Sequence, residues 1–217
     1  MYKHCFKRLF DFILSLIGAV VLLPVFLIIS IAIMIDDPGP VFFRQKRVGK
    51  NKKIFWLHKF RSMKLKTPDF PTHLLENPEQ YITRIGRFLR KTSLDELPQV
   101  YDILFGKMSI IGPRPALWNQ DDLIAERDLY GANDVKPGLT GWAQINGRDE
   151  LEIPVKAKFD GEYVEQLNKG KFYGVKMDFV CFFGTIRSVL KHDGVVEGGT
   201  GAMEKYEETK EKEMVEK

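Results

Sequence analysis

The longest apolar pattern of the chain runs from Phe12 to Ile35, 24 residues without a charged side chain. At about 1.5 Å per residue, a straight helix of this length would reach across a hydrocarbon core of roughly 30 Å. Pro24 lies in the middle of the run, where its missing N–H and its clash with the preceding turn kink or break a helix. The pattern therefore predicts a membrane helix broken at Pro24.

The flanks of this run favour one arrangement of the membrane helix. A cleaved signal peptide is disfavoured because the run ends in the acidic, proline-rich segment 36–40 without a small-x-small cleavage site. Cations lie on both sides: Lys3, Lys7 and Arg8 precede the run, and ten Lys or Arg with no Asp or Glu follow between Arg44 and Lys66. Cytoplasmic flanks carry such cations. A re-entrant helix satisfies both flanks, and a kinked spanning helix is the alternative.

A second amphipathic pattern covers Phe172 to Leu190 and is rich in aromatic residues. Lys176, Asp178 and Arg187 fall roughly on one face of a helix drawn through it. This pattern is typical of a helix that lies at a membrane interface. An ordinary helix facing the protein core is the alternative.

The remaining pattern predicts an α-rich α+β fold with a small β-hairpin. Short β-prone runs at 41–43 and 54–57 are separated by the basic turn Gly49-Lys50-Asn51. Helical spacing predicts helices at 82–89, 95–105, 118–130 and 155–167, whereas 110–115 and 136–148 are expected to form turns and loops. We expect three units: a membrane helix over 1–36, a compact domain over 37–195, and a charged tail over 196–217.

Composition narrows the class of protein. Charged residues make up 29% of the chain and apolar ones 44%, which excludes a protein made mostly of membrane spans. The two cysteines, Cys5 and Cys181, imply no disulfide framework, and each is expected to be a small buried apolar residue. Aromatic residues interleave the basic block, but no nucleic-acid-binding motif accompanies them, so lipid headgroups are the favoured anionic partner. Neither a dinucleotide-binding fingerprint nor a phosphate-binding P-loop is present.

A carboxylate pair, Asp95 and Glu96, is the strongest candidate for chemistry. Ser93 and Glu96 match a helix capping box, which is the structural alternative. If Asp95 is the N-cap instead, Pro98 falls inside the first turn and costs little. Either arrangement places Asp95 at a helix N-terminus, whose dipole and free N–H groups would keep it ionised as a nucleophile or metal ligand.

Cations surround this pair in the sequence, and the guanidinium fork of arginine suits phosphate. A carboxylate that attacks an anionic phosphate needs such neutralisation, usually with a divalent cation as well. A solvated basic helix face, or attraction to anionic lipid, is the alternative for each of them. Arg90 and Arg114 stand out because one precedes a helix start and the other lies in a proline-flanked turn. The cations are Arg84, Arg87, Arg90, Lys91, Lys107 and Arg114.

Four motifs resemble those of a known family. They are KFRSM at 59–63, RIGRFLRKTSLDELPQ at 84–99, IGPRP at 111–115 and KPGLTGWAQINGR at 136–148. The chain resembles the bacterial sugar transferases, also called monotopic phosphoglycosyl transferases, from about Lys7 to Gly194. It is similar to their minimal catalytic form, without extra N-terminal spanning helices.

The resemblance implies transfer of a sugar 1-phosphate from a UDP-sugar to polyprenyl (undecaprenyl) phosphate, with release of UMP. It also implies Mg²⁺ and a covalent phosphosugar-aspartyl intermediate. By motif, Asp95 would be the nucleophile, and Glu96 would bind Mg²⁺ with it or assist proton removal. Phosphate groups would be held by Lys59, Arg90 and Arg114.

The resemblance further implies that Pro24 breaks a re-entrant helix at the cytoplasmic face of the inner (plasma) membrane. Relatives often carry Ser directly before this proline, where this chain has Leu23, so a hydroxyl that would bond a freed carbonyl is missing. The expected pathway is surface polysaccharide or glycoconjugate synthesis. The sugar and the oligomeric state stay open, a membrane-plane homodimer included. A non-enzymatic adaptor that binds anionic lipid or a protein is the alternative function.

Overall fold

Helices account for most of the residues that the computed structural model describes, which are 2–67, 78–147 and 150–191. The predicted charged tail lies outside these residues. The α-helices are α1 (Lys7–Val21), α2 (Leu23–Asp36), α3 (Arg84–Lys91), α4 (Gln99–Leu104), α5 (Asp121–Asp128), α6 (Trp142–Ile145), α7 (Ile153–Lys169) and α8 (Lys171–Lys191). The strands are β1 (Phe42–Val48), β2 (Ile54–Phe60), β3 (Ser109–Ile111) and β4 (Gly138–Thr140). The molecule is thus helix-rich α+β.

Helices α1 and α2 form a bent apolar pair. They break at Leu22, whose N–H donates to Gly18 O at 2.9 Å, and Pro24 lies in the first turn of α2. The bend is 57°. In the described part of the chain, each helix alone is too short or too polar to cross a bilayer, whereas the two together have the length and composition of a span.

The outer end of α1 is attached to the rest of the fold. Arg8 donates to Ile103 O and Leu104 O at 2.6 and 2.7 Å, satisfying carbonyls at the C-terminus of α4. Buried Asp11 accepts from Ser109 Oγ at 2.8 Å and from Ile110 N at 3.0 Å. The first turns of α1 therefore pack inside the domain.

The outer end of α2 is attached to the same domain. Asp36 accepts the N–H of Ile85 at 2.9 Å, at the start of α3. Asp37 pairs with Arg61, whose Nη1 lies 3.1 Å from Asp37 Oδ2. Both ends of the bent pair are thus held by one folded unit.

The predicted β-hairpin is confirmed, with longer strands than expected. β1 and β2 pair antiparallel from Phe42↔Phe60 to Val48↔Ile54. The segment after β3 lies along the other side of β1, since Val48 N donates to Ala116 O at 3.0 Å. This arrangement brings the IGPRP motif to the hairpin.

One apolar cluster joins the bent pair to the domain. Phe26, Ile29 and Ile33 of α2 are buried against Phe60 and Leu89. Full burial of a large apolar side chain stabilises a fold by roughly 1.5–3 kcal/mol, so this cluster holds the helix pair firmly.

The segment 136–148 is more regular than predicted. It contains β4, which pairs in parallel with β3, and the short helix α6. The two backbones approach so closely that a Cβ on Gly138 would lie 2.1 Å from Gly112 N. The glycines of this segment therefore allow two backbones to pack closely and do not serve turns alone.

Helix α8 is confirmed, but the prediction that its three charged residues share a face is wrong. Asp178 points inward, where it accepts from Lys7 Nζ and Tyr163 Oη, both at 2.8 Å. Lys176 and Arg187 are exposed on the other side. Asp178 is inside because Tyr2 and Lys7 near the N-terminus and Tyr163 on α7 supply its partners.

The prediction for the cysteines is half right. Cys181 is fully buried, and burial raises the pKa of its thiol to about 12, so it is an unreactive apolar residue. Cys5 is exposed rather than buried.

Candidate active site

The carboxylate pair lies in a short 3-10 turn, Leu94–Glu96, between α3 and α4. Ser93 takes a left-handed conformation (φ 56°) and makes no side-chain capping bond. Helix α4 begins only at Gln99, after Pro98, whose missing N–H costs no helical bond there. The predictions of a capping box and of a helix starting at Asp95 are therefore wrong.

Glu96 is clamped by two cations from different parts of the chain. Lys59 Nζ on β2 donates to Oε1 at 2.8 Å. Arg114 Nη1 donates to Oε2 at 3.2 Å, and its Nη2 donates to Oε1. Burial alone would raise the pKa of Glu96, but Arg114 and Lys59 outweigh burial and hold that pKa well below its ordinary value. Glu96 is therefore ionised at neutral pH.

Asp95 has a different electrostatic environment. It is buried, and Lys59 Nζ lies 3.7 Å from its Oδ2. Burial raises the pKa of Asp95 above its ordinary value; Lys59 opposes that change, and neighbouring Glu96 adds to it. A carboxylate whose charge is poorly solvated is more basic, which suits a nucleophile.

Arg90 approaches the site from α3. Its Nε donates to Ser62 Oγ at 3.0 Å. The helix lies directly on the Ser62 backbone, since a Cβ on Gly86 would be 2.0 Å from Ser62 O. Thr83 Oγ1 caps the helix by accepting the Gly86 N–H at 2.9 Å. These contacts set the rotation of α3 that turns Arg90 inward.

The structure shows which of the nearby cations contact the carboxylate pair and which lie elsewhere. Lys59 and Arg114 contact the carboxylates, and Arg90 lies at Ser62 beside them. Lys107 instead faces Asp102 at 3.9 Å. The remaining three are exposed on the outer side of α3: Arg84, Arg87 and Lys91.

The site rests on the bent helix pair. Leu94 and Leu97, which flank the two carboxylates, pack against the apolar cluster of α2. The same cluster includes Leu22 and Val25, which lie on either side of Pro24. The turn that carries the carboxylates therefore packs, through Leu94 and Leu97, on the same cluster as the residues around the break.

Two supporting residues were not singled out from the sequence. Ser62 holds Arg90, and it lies within the KFRSM motif, so a signal was available. Asp102 accepts the His58 N–H at 2.9 Å and lies 2.8 Å from His58 Nδ1, which ties α4 to the strand that carries Lys59. No sequence signal marked this pair, because its partners are 44 residues apart.

The acidic side chains of the site can be compared with the ligands that the expected Mg²⁺ would need. Within residues 2–67, 78–147 and 150–191, no group of three or more His, Cys, Asp or Glu is placed to hold a metal. Mg²⁺ commonly takes only one or two carboxylates and completes its shell with water and substrate phosphates. The oxygens of Asp95 and Glu96 fit that kind of site and not a site made by protein alone.

Comparison with known proteins decides the family. The family model described as bacterial sugar transferase matches residues 2–192. The chain belongs to the bacterial sugar transferase family. A UDP-glucose:undecaprenyl-phosphate glucose-1-phosphate transferase of Escherichia coli (strain K12) is 37% identical over 190 residues, 82% of this chain and 39% of that protein.

Two further relatives extend the comparison. The transferase of the same name from Xanthomonas campestris pv. campestris is 44% identical over 145 residues, 65% of this chain and 30% of that protein. The uncharacterized sugar transferase EpsL of Bacillus subtilis (strain 168) is 40% identical over 193 residues, 87% of this chain and 89% of that protein. This sugar transferase thus spans well under half the length of the first two relatives and most of the length of EpsL.

Proposed function

We propose that this sugar transferase moves a sugar 1-phosphate group from a UDP-sugar to undecaprenyl phosphate, giving the polyprenyl-diphosphate sugar and UMP. One observation carries the proposal. A buried aspartate with a raised pKa lies beside a clamped glutamate and three cations, and the leucines that flank the two carboxylates share an apolar cluster with the residues on either side of Pro24. The printed names of the Escherichia coli and Xanthomonas relatives, glucose-1-phosphate transferases acting on undecaprenyl phosphate, support the same reaction.

In the first step, an oxygen of Asp95 attacks the phosphorus that carries the sugar. The P–O bond to the UMP moiety breaks, and UMP leaves with that bonding pair. The product is a phosphosugar-aspartyl intermediate. The raised pKa of Asp95 makes its carboxylate a stronger nucleophile than an ordinary aspartate.

The cations neutralise the substrate's phosphates. Lys59 is 3.7 Å from Asp95 and so lies where a phosphate would meet the nucleophile. The side chain of Arg114 is 28% exposed, so a second phosphate oxygen can approach it from solvent. Arg90, oriented by Ser62, adds a third positive charge near Asp95.

In the second step, a phosphate oxygen of polyprenyl phosphate attacks the same phosphorus and releases Asp95. Glu96 is a poor base for this step because two cations hold its pKa well below its ordinary value. Of its two expected roles, metal binding fits better than proton removal, and the clamped carboxylate also orients Lys59 and Arg114. Mg²⁺, held by Asp95 and Glu96 with the substrate's phosphates, would supply further charge neutralisation.

The bent pair supports a re-entrant arrangement at the cytoplasmic face. Each helix is about 22 Å long, so a bend of 57° places the break only about 10 Å below the line that joins the outer ends. That depth is less than half of a roughly 30 Å hydrocarbon core. Arg8 and Asp11 at one end and Asp36 at the other bind the same domain, which favours both ends on one side.

Exposed aromatic residues support contact with the bilayer beyond the bent pair. Helix α8 exposes Phe172, Phe179 and Phe183 along one side. Its start lies beside the N-terminus of the chain, where Tyr2 donates to Asp178. An aromatic helix face next to an inserted helix is typical of the membrane interface.

The decisive test is the identity of the nucleotide that the enzyme releases. Purified protein in detergent, given undecaprenyl phosphate and a panel of UDP-sugars, should release UMP with at least one sugar. An ordinary glycosyltransferase would release UDP instead. Donor labelled in the sugar should label the wild-type protein and not Asp95→Asn, and an unlabelled wild type under turnover conditions would contradict the covalent route. If dyad variants kept full biological activity, a non-enzymatic adaptor would be the better description.

A further inference from the structure

Helix α3 has two faces of opposite character. At about 100° per residue, Arg84, Arg87, Phe88 and Lys91 fall within an arc of about 100°, and all four are exposed. Ile85, Gly86, Leu89 and Arg90 occupy the opposite side, against α2 and Ser62. One helix thus carries Arg90 toward the active site and three other cations away from it.

The three outward cations lack acidic partners within the described part of the chain. No hydrogen bond or ion pair to a described residue involves the side chain of Arg84, Arg87 or Lys91. Elsewhere on the surface, exposed lysines do find carboxylates: Lys52 lies 2.9 Å from Asp128. With respect to the residues that the structure describes, the outer face of α3 is therefore a positive surface without acidic partners.

The order of residues around α3 indicates what this surface contacts. Ile85 and Leu89 pack on α2, one arm of the bent apolar pair. Next around the helix comes Phe88, 57% exposed. The cations follow after it. An apolar edge beside an inserted helix, then a row of cations, is the arrangement of a helix lying among lipid headgroups.

We propose that the outer face of α3, formed by Arg84, Arg87, Phe88 and Lys91, binds the headgroups of anionic phospholipids. The inference rests on the proposed position of the bent pair in the bilayer. Phe88 enters the boundary between headgroups and acyl chains, and the three cations bind lipid phosphates above it. Each Lys or Arg near an anionic membrane surface strengthens binding roughly fivefold.

The phosphates of the enzyme's own substrates fit the outer face of α3 less well than phospholipid headgroups do. Arg90 is turned toward Ser62 and the carboxylates, whereas these three side chains are exposed and none of the described contacts joins them to the carboxylate pair. At about 100° per residue, the centre of this face lies about 110° around α3 from Arg90, the cation of this helix that belongs to the site. The surface therefore orients the catalytic domain on the membrane through bulk lipid.

The test measures lipid binding by the full-length protein in a neutral detergent. The probes are short-chain dihexanoyl phosphatidylglycerol and, for comparison, dihexanoyl phosphatidylcholine, titrated by calorimetry. Wild type should prefer the anionic lipid, and Arg84→Gln/Arg87→Gln/Lys91→Gln should lose that preference by tenfold or more. Phe88→Ala should weaken binding of both lipids alike.

The matched control removes three exposed lysines elsewhere, in Lys50→Gln/Lys53→Gln/Lys158→Gln, and should keep the wild-type preference. Arg84→Lys/Arg87→Lys/Lys91→Arg, which keeps the charge, should keep it too. If the triple variant is unstable, Arg87→Gln alone should reduce the preference severalfold. An unchanged preference in the α3 variants, or no preference in wild type, would overturn the proposal.

Transfer assays separate this inference from the proposed function. At saturating donor and acceptor in neutral detergent, the α3 triple variant should release UMP at the wild-type rate. A raised KM for undecaprenyl phosphate with unchanged phosphatidylglycerol binding would overturn the lipid assignment in favour of acceptor capture. Wild type that prefers phosphatidylglycerol but releases no UMP would refute the transferase and leave the lipid surface standing.

Discussion

Two clusters in this molecule pair buried carboxylates with cations, and they are built differently. Between α5 and α7, Arg127 donates from Nε and Nη2 to one oxygen of Asp160 at 2.8 and 2.5 Å. Both residues are almost fully buried, 3% and 1% exposed. At the candidate active site, Glu96 is held by Lys59 and Arg114, whose side chains remain 20% and 28% exposed.

The difference separates a structural ion pair from a reactive site. Burial raises the pKa of Asp160 even with Arg127 beside it, and the pair is closed to any further anion. The active site has three cations, Lys59, Arg90 and Arg114, for two carboxylates. It is therefore positive before a substrate arrives, and part of that charge is accessible. Surplus charge and access, more than burial, mark the place where phosphate can react.

The largest effect should come from Asp95→Asn. Loss of the nucleophile should lower turnover by at least about 1,000-fold and abolish covalent labelling. Stability should not fall, because the buried charge of Asp95 is itself unfavourable in the fold. The assays are UMP release and thermal unfolding. Labelling of the asparagine variant at the wild-type level would assign the nucleophile to another residue.

Arg127→Ala should lower the stability of the protein and leave its activity nearly unchanged. It leaves Asp160 as an uncompensated buried charge, which should lower the free energy of unfolding by about 3–5 kcal/mol. Activity per folded molecule should stay close to wild type, because neither residue contacts the site. Chemical denaturation and UMP release at low temperature measure the two quantities separately. A large loss of activity at unchanged stability would erase the distinction between the two clusters.

Arg114→Ala should reduce turnover by about 100-fold, since it removes both the fork on Glu96 and an accessible phosphate donor. Its effect on unfolding should be smaller than that of Arg127→Ala, because Lys59 still pairs with Glu96. Arg114→Lys is the matched control, and it should recover only part of the rate, as lysine lacks the planar fork. Full recovery would mean that charge alone is needed.

The smallest expected effect is a change in how the labelling rate and the stability depend on pH. Because burial raises the pKa of Asp95, the rate of covalent labelling should fall on the acid side at a higher pH than an ordinary aspartate would give. The charge of Asp95 destabilises the fold above its raised pKa, so wild type should be less stable than Asp95→Asn at neutral pH. That difference should vanish as the pH falls and Asp95 is protonated. A constant difference across the range would contradict the raised pKa.

Glu96 should respond with the opposite sign. Its lowered pKa contributes stability that is present above the ordinary carboxylate range and is lost as the pH falls through the lowered value. Glu96→Gln should therefore be less stable than wild type at neutral pH, and the two should converge in acid. The same unfolding series measures both residues.

Periodicity and motif order predicted much of the local structure. The hairpin, the helices near 118–130 and 155–167, and the long helix after 171 are all present. They form where predicted because apolar spacing and turn residues act within a few residues of one another. The chain also breaks its apolar helix at Leu22, next to Pro24, for the same local reason.

The details that were predicted wrongly depend on more than local spacing. Asp178 fits an outer helical face by spacing alone, but Lys7 and Tyr163 draw it inside. Asp95 has the sequence of a helix cap, yet the left-handed Ser93 and the later start of α4 place it in a tighter turn. Local rules are overridden where a buried polar group has found a partner far along the chain.

By itself, the sequence determined the class of this protein: an apolar helix interrupted by proline, a basic hairpin and an ordered set of motifs around a carboxylate pair. Only the tertiary structure decided which cations belong to that pair. Lys59, Arg90 and Arg114 converge because β2, α3 and the segment after β3 pack around one turn, while Arg84, Arg87 and Lys91 face outward. The physical reason is that charge interactions depend on distance in space and on burial, and spacing along the chain sets neither.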